Sequence, residues 1–383
     1  VVLLGLLWVL GGLQAPKSRD AFERTEFGRL PVVMNGRVQP LDSVARNALL
    51  VLRNKQSIYL TNRPPVSATE WLMEVTMRPE QADAWPVFRV DHPEVRDLVK
   101  LAQDQAMHVS YKQLEPFLAE IERQARRAQG IEAPNRSSFE RAILKLDNGL
   151  GLYQQLRIML RPEGSQDMAA EVAAYAQAIE PGLAAVKNRE EGKPFSQPDF
   201  DRLLASVQRY EGMANSSRVM LVPPSDPAQG KDGWANMGLA LMSAVHDKEI
   251  HPAAARYAAM VSAYRQDRAS DFNRALGELK QWVGQHAAPE AAKCKREFVY
   301  QNWRPFYHST VLYVMVFLCA IGVWFAAGSF FYRSAGGLLW LAFALHSTGI
   351  LFRMHLEGRP PVTNLYSSAV FVGWGAVLLG LIL

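Results

Sequence analysis

The sequence predicts a mainly α fold: a polytopic α-helical membrane protein with a large, mostly helical soluble domain that carries one small β-hairpin. Three observations support this. Uncharged apolar runs open the chain and fill its last part. The stretch between them, residues 14–304, is rich in charge. Within it, alanine-rich and apolar positions recur at helical spacing, with one clear hairpin signal.

The apolar runs come first. Residues 1–13 (VVLLGLLWVLGGL) carry no charge. A bilayer core needs about 20 apolar residues in a helix, so this run reads as an anchor whose beginning lies upstream. A signal-peptide core is the alternative, but no small-residue cleavage pattern follows, and Gln14–Arg19 reads as a polar exit. Residues 305–332 are uncharged, 335–352 are interrupted only by His346, and 367–383 are uncharged to the last residue. The chain begins and stops inside apolar runs and therefore reads as truncated at both ends. Arg333–Gly337 reads as the turn between the first two segments, and Arg353–Pro361 as a loop on the side of the soluble domain. Arg333 marks one face, Arg353 and Arg359 the other, so the positive-inside rule does not orient the molecule.

The soluble domain holds 39 basic and 36 acidic residues between positions 14 and 305. That is a balanced, solvated surface and excludes a nucleic-acid footprint. Cys294 and Cys319 are the two cysteines, and Cys319 lies in an apolar segment, so the soluble domain has no internal disulfide. With no C-x-x-C-H, this stretch is not itself a c-type cytochrome. Leu30–Met34 and Arg37–Gln39 flank Asn35-Gly36, a type I′ hairpin signal. Asp42 or Ser43 would cap a helix from Val44 to Arg53. Ser110-Tyr-Lys-Gln113 is a capping-box pattern opening a helix that ends near Gly130. Further helices read as 138–160, 166–188, 197–212, 234–247, 252–266, 271–286 and 289–302, with a short strand at Val219–Val222. The domain is large enough for two lobes, with a break at 188–198 or 223–232. It shows no nucleophile, phosphate loop or metal-ligand spacing. His92, His108, His246, His251 and His286 read as surface or cap residues.

The histidines near the apolar segments are more informative. His346 lies about 10 Å along a helix from Arg353, within the membrane half nearer the soluble domain. An imidazole there either bonds across helices or serves as a ligand or proton relay. His355 stands nine positions on, about 180° round a continuing helix, and reads as a loop histidine. His308 sits at the interface end of the first segment. In the loop LEGRPPVTNLYSS (356–368), Gly358 and Pro360-Pro361 break the helix, Asn364 can satisfy backbone groups, and Tyr366 suits an interface.

His346-Ser-Thr-Gly349-Ile-Leu-Phe-Arg353, followed by Gly358-Arg-Pro-Pro361-Val-Thr-Asn364-Leu-Tyr366, resembles the start of the cytochrome c assembly domain of CcsA/ResC-type proteins, the haem-handling subunits of System II cytochrome c synthase. Leu30–Leu49, centred on Gly36-Arg37-Val-Gln-Pro40-Leu41-Asp42, and Glu297–Phe306 resemble segments of the fused form of that family. The resemblance covers about a quarter of the chain. Ser367 replaces the glutamate frequent after the loop tyrosine, and Gln301 an asparagine. The tryptophan-rich WWD signature is absent and would be expected after Leu383.

The resemblance implies haem b as substrate and cofactor, presented at the outer face of an inner (cytoplasmic) membrane, with the soluble domain extracytoplasmic. The haem vinyl groups would be joined to the thiols of an apocytochrome C-x-x-C-H. His346 matches the family's haem-ligating histidine. Arg353 and Arg359 are candidate propionate partners, and His355 and His308 further cofactor-binding candidates. Implied partners are apocytochrome c, a thiol-reducing thioredoxin-like protein, a ResB/CcsB-type subunit and membrane lipid. The alternatives from the residues themselves are a transporter of haem or another anion, and a membrane-anchored scaffold.

Overall fold

The computed structural model describes residues 1–13, 21–61, 63–102, 106–326, 328–363 and 365–383. The polar exit at Gln14–Arg19 and the role given to Asn364 fall outside the described residues. The chain divides into two compact units, Val1–Lys17 with Ala292–Leu383, and Ser18–Ala291. The first helix, α1 (Val2–Gly11), belongs to the former.

In the Ser18–Ala291 unit, α2 (Arg24–Gly28) leads into the hairpin β1 (Pro31–Met34) and β2 (Arg37–Pro40), with Val33 opposite Val38. Asn35 and Gly36 have φ of 53° and 72°, the pair of left-handed residues that a type I′ turn requires. The next helix starts earlier than expected. α3 (Leu41–Arg53) follows Pro40 directly, and no side chain caps it. Asp42 is engaged elsewhere: it accepts from Thr69 Oγ1 at 2.7 Å and pairs with Arg46 at 2.6 Å.

The short strands β3 (Ser57–Ile58) and β4 (Val66–Ser67) precede α4 (Ala68–Met77), the centre of this unit's core. Nine of its ten residues are buried. A helix covered on every side has no polar face, so its sequence carries no amphipathic period to read. Its one buried carboxylate, Glu74, accepts from Tyr264 Oη at 2.9 Å, and burial pushes it above the usual carboxylate range despite that bond and nearby Arg78.

α5 (Pro79–Ala82), β5 (Pro86–Arg89), α6 (Pro93–Leu98) and β6 (His108–Ser110) follow, with β5 and β6 antiparallel. The capping box at Ser110 forms, with Gln113 N donating to Ser110 Oγ at 3.3 Å. The single helix expected up to Gly130 does not. α7 (Tyr111–Leu114) gives way to a 3-10 turn at Glu115–Phe117 before α8 (Leu118–Gln129), because Pro116 has no N–H to continue the ladder.

The remaining helices match the stretches read from the sequence, with shifted ends: α9 (Ser138–Arg157), α10 (Met168–Glu190), α11 (Gln197–Ser216), α12 (Met237–Asp247), α13 (Pro252–Arg265) and α14 (Ala269–His286). Val219–Val222 forms no ladder. Met220 bridges Val33 and Val222 bridges Ala235, each singly. Against α4, Tyr153 Oη donates to Asp83 at 2.9 Å, and Arg157 pairs with the same carboxylate at 3.1 Å.

α15 (Ala288–Trp303) spans the division between the units. Arg304 takes φ of 47°, a left-handed conformation that ends α15, and Pro305 opens α16 (Pro305–Ala326) as its first residue. α17 (Ser329–Glu357) and α18 (Leu365–Ile382) complete the chain. Among the described residues, three helical stretches are long and apolar enough to cross a membrane: Ala288–Phe325, Ser329–Glu357 and Leu365–Ile382. Two expectations are corrected here. Arg333–Gly337 is not a turn, since it lies within α17, whose N-cap is Gly328. His355 is not in a loop either, because α17 runs on to Glu357 and ends at Gly358 with φ of 62°. Arg333 and Arg353 thus stand 20 helical positions apart, about 30 Å, the thickness of a bilayer's hydrocarbon core.

Candidate functional site

α16 and α17 pack as a pair, with α1 against both. Val9, Leu312, Leu338, Ala342 and Leu345 form the buried seam, and Trp303 Nε1 donates to Val9 O at 3.1 Å. Small residues let the helices approach closely: a Cβ on Gly337 would come within 2.6 Å of Val2 Cγ2.

His346 projects from α17 into the meeting point of three helices and is 7% exposed. From α16, the Phe306 ring meets it edge-on at 5.7 Å between centroids, and Tyr313 Oη lies 3.3 Å from Nδ1. From α18 it meets the Val370 backbone. One turn on, Gly349 allows α17 to pass the start of α16, since a Cβ there would be 3.0 Å from Phe306 Cε1. Tyr300 Oη donates to Gly349 O at 3.2 Å, and its ring stacks on Phe352. Trp374 Nε1 donates to Ser347 Oγ at 2.8 Å, tying α18 to α17 beside the histidine. Besides Tyr313 Oη at Nδ1, the ring hydrogen-bonds the Val370 backbone.

A small cleft of about 10 Å³ lies against this cluster. Phe306 and Val370, both neighbours of His346, form part of its wall, and Arg353, Glu357, Arg359 and Ser367 form the rest. The two arginines differ. Arg353 Nε pairs with Glu357 at 2.8 Å, and its guanidinium lies 5.4 Å from the centre of the Tyr366 ring. Arg359 is exposed and has no acidic partner among the described residues. The cleft has room for about one water and not for a tetrapyrrole.

His355 and His308 lie apart from this cluster. His355 is exposed on the opposite face of α17 from His346, as nine helical positions require. His308 is 8% exposed and packs with Trp8, whose ring centroid is 4.3 Å away, and with Gly12 and Tyr307. The partner the sequence did not single out is Tyr313. It stands 33 positions before His346, and no local pattern links two residues on adjacent antiparallel helices.

In the Ser18–Ala291 unit, His251 invites a different reading, because its Nε2 lies 3.1 Å from Ser225 Oγ. It is not a nucleophile–base pair. Its Nδ1 accepts from Ala253 N at 3.2 Å, capping α13. The neutral ring therefore carries its proton on Nε2 and donates to the serine, so it cannot take the serine's proton. His286 bonds through Nδ1 with Trp282 O at 2.9 Å and stacks on the Trp282 ring. Among the described residues, no group of three or more His, Cys, Asp or Glu side chains could hold a metal ion.

No protein-family model matches the chain. Protein NrfI of Wolinella succinogenes is 21% identical over 363 residues, an alignment that covers 92% of this chain and 33% of NrfI. Coverage of that extent takes in both compact units. The chain is thus distantly similar to NrfI and spans about a third of that curated relative's length.

Proposed function

We propose that this chain is part of a cytochrome c assembly protein, one that holds haem through His346 and presents it for covalent attachment to the C-x-x-C-H thiols of an apocytochrome. The observation that carries the reading is His346 itself. It is a buried imidazole in an apolar helix, backed at Nδ1 by Tyr313 and set beside an arginine-bearing cleft. A histidine there needs partners, and this one has Tyr313 and the Val370 backbone. The similarity to NrfI across both units and the resemblance of residues 346–366 to haem-handling assembly proteins support the same reading.

Haem is here the substrate, and it brings the vinyl groups to which the two thiols add. The chain's residues position it. His346 would ligate the iron in place of its Val370 contact, and Tyr313 would fix the ring. Of the two arginines, Arg359 is the better propionate partner, since Arg353 is already paired with Glu357 and stacked on Tyr366. On this reading the three long apolar helices cross the inner membrane. The Ser18–Ala291 unit faces the extracytoplasmic side, where apocytochrome, a thioredoxin-like reductant and a ResB-type subunit would meet it.

The test is thioether formation by the full-length protein in membranes, supplied with haem b and reduced apocytochrome. His346→Ala should lower holocytochrome yield at least about tenfold. Wild-type yield from a folded, membrane-inserted His346→Ala variant would remove the basis of the proposal.

A further inference from the structure

Arg53, Arg96 and Arg161 are the buried arginines among the described residues, and the protein supplies partners for the last two. Arg161 pairs with Glu80 at 2.7 Å, and Arg96 donates to Val90 O at 3.1 Å and to Ala102 O. Arg53 is the exception. It is 5% exposed, and its buried Nε and Nη1 have no hydrogen-bond partner. Its guanidinium makes no ion pair among the described residues. A guanidinium keeps its charge in a protein, so burial strips its water and puts nothing in its place. Arg53 closes α3, and a helix C-terminus favours a cation. That gain is smaller than the cost of burying an unpaired charge.

The surroundings make the deficit larger. His108 Nε2 lies 3.4 Å from Arg53 O. Burial lowers the His108 pKa, and Arg53, Lys55 and Arg89 act in the same direction against the bond to the Arg53 carbonyl. The ring is therefore neutral near pH 7, with three cations within electrostatic reach. Arg89 is matched by Asp91 at 2.9 Å. Lys55 is exposed and, like Arg53, has no acidic partner among the described residues. Two positive charges thus stand uncompensated two positions apart, one of them buried. The exposed Tyr59 hydroxyl, close to Arg53, adds a donor at the rim.

We propose that the end of α3 is an oxyanion site, where a phosphate group is held by the Arg53 guanidinium and the Lys55 ammonium, with Tyr59 at its edge. Phosphate suits it better than a carboxylate. A phosphate with a free terminal group carries about 1.5 to 2 negative charges near pH 7, and so answers two cations where a carboxylate answers one. A soluble phosphate and a lipid headgroup present the same chemistry, and the experiment separates them. The inference does not rest on the haem reading.

The experiment is thermal unfolding of the full chain, followed by circular dichroism, in an uncharged detergent and Tris chloride at constant ionic strength. Sodium phosphate at about ten times its dissociation constant should raise the wild-type melting temperature by about 2–4 °C, and sodium acetate by less. Arg53→Met keeps an unbranched apolar stem and removes the charge. It should melt higher than wild type without phosphate and show no phosphate shift. Lys55→Ala, at an exposed position, should melt like wild type and lose much of the shift. A second arm uses nanodiscs with and without phosphatidylglycerol and no added phosphate. A shift with soluble phosphate in detergent assigns a soluble ligand. A shift only with phosphatidylglycerol, absent from Arg53→Met, assigns a lipid headgroup. No shift in either arm, an equal shift in Arg53→Met, or a folded Arg53→Met chain that melts below wild type without phosphate would each overturn the proposal.

Discussion

Gly238→Ala sets helix propensity against a close backbone contact between two helices of the Ser18–Ala291 unit. Gly238 lies on α12 where it crosses α11. An added Cβ would stand 2.2 Å from Ala214 N and 2.5 Å from Tyr210 O, both backbone atoms that no rotamer change can move. Alanine alone would favour the helix by about 1 kcal/mol. Overpacking against a helix backbone costs about 1–3 kcal/mol. Parting the helices also strains the cap that joins them, because Asn236 Nδ2 donates to Ala214 O at 2.8 Å and to Ser217 O at 2.9 Å. Each bond is worth about 1 kcal/mol. The net expectation is a destabilisation of about 2–4 kcal/mol, read from urea unfolding of the detergent-solubilised chain by tryptophan fluorescence and far-ultraviolet circular dichroism. Gly151→Ala is the control, with open space at its Cβ and an expected gain of about 0.5–1 kcal/mol. A Gly238→Ala chain as stable as Gly151→Ala would refute the packing argument.

Three further outcomes follow from the structure. Burial lowers the His251 pKa to about 4, with nearby His286 and Arg256 acting in the same direction and Asp247 opposing them. The unfolded chain therefore binds a proton that the folded one refuses, and stability should be full above about pH 6.5 and fall toward pH 4, by about 1–2 kcal/mol after allowing for partial solvent access. A His251→Asn variant that kept the wild-type slope of stability against pH across that window would contradict this. Asp83→Ala should cost about 1–3 kcal/mol, because it leaves the buried Tyr153 hydroxyl without its acceptor while Arg157 keeps Glu163 at 3.6 Å. A loss below 1 kcal/mol in urea titrations would show that the network is dispensable. Tyr313→Phe should weaken haem retention about tenfold while leaving the chain folded, and unchanged haem affinity in spectrophotometric titrations would assign Tyr313 a packing role only.

The sequence was legible where one residue sets one local geometry. Asn35-Gly36 specified its turn and Ser110…Gln113 its capping box, and the alanine-rich runs gave α10 and α13. It was illegible where the tertiary surroundings decide. α4 is buried on nearly every side and so shows no period. Asp42, a plausible cap by residue type, is drawn to Thr69 and Arg46 instead. Arg333 looked like a turn marker because a charge ends an apolar run, yet a helix can carry an arginine out to an interface without stopping. For the candidate site, His346, Arg353 and Arg359 could be picked from spacing and resemblance. Their different engagement could not, since Arg353 is held by Glu357 and Tyr366 while Arg359 is exposed. Tyr313 and Trp374 join the site only through helix pairing, which no local pattern records.

The most direct test of the central claim is the absorption spectrum of the full-length protein purified from haem-replete cells, wild type beside His346→Ala. The account predicts a Soret band with α and β bands on reduction in the wild type, and a weakened or shifted spectrum in the variant. Identical spectra, or no haem in either protein, would contradict the assignment of His346 as a haem ligand.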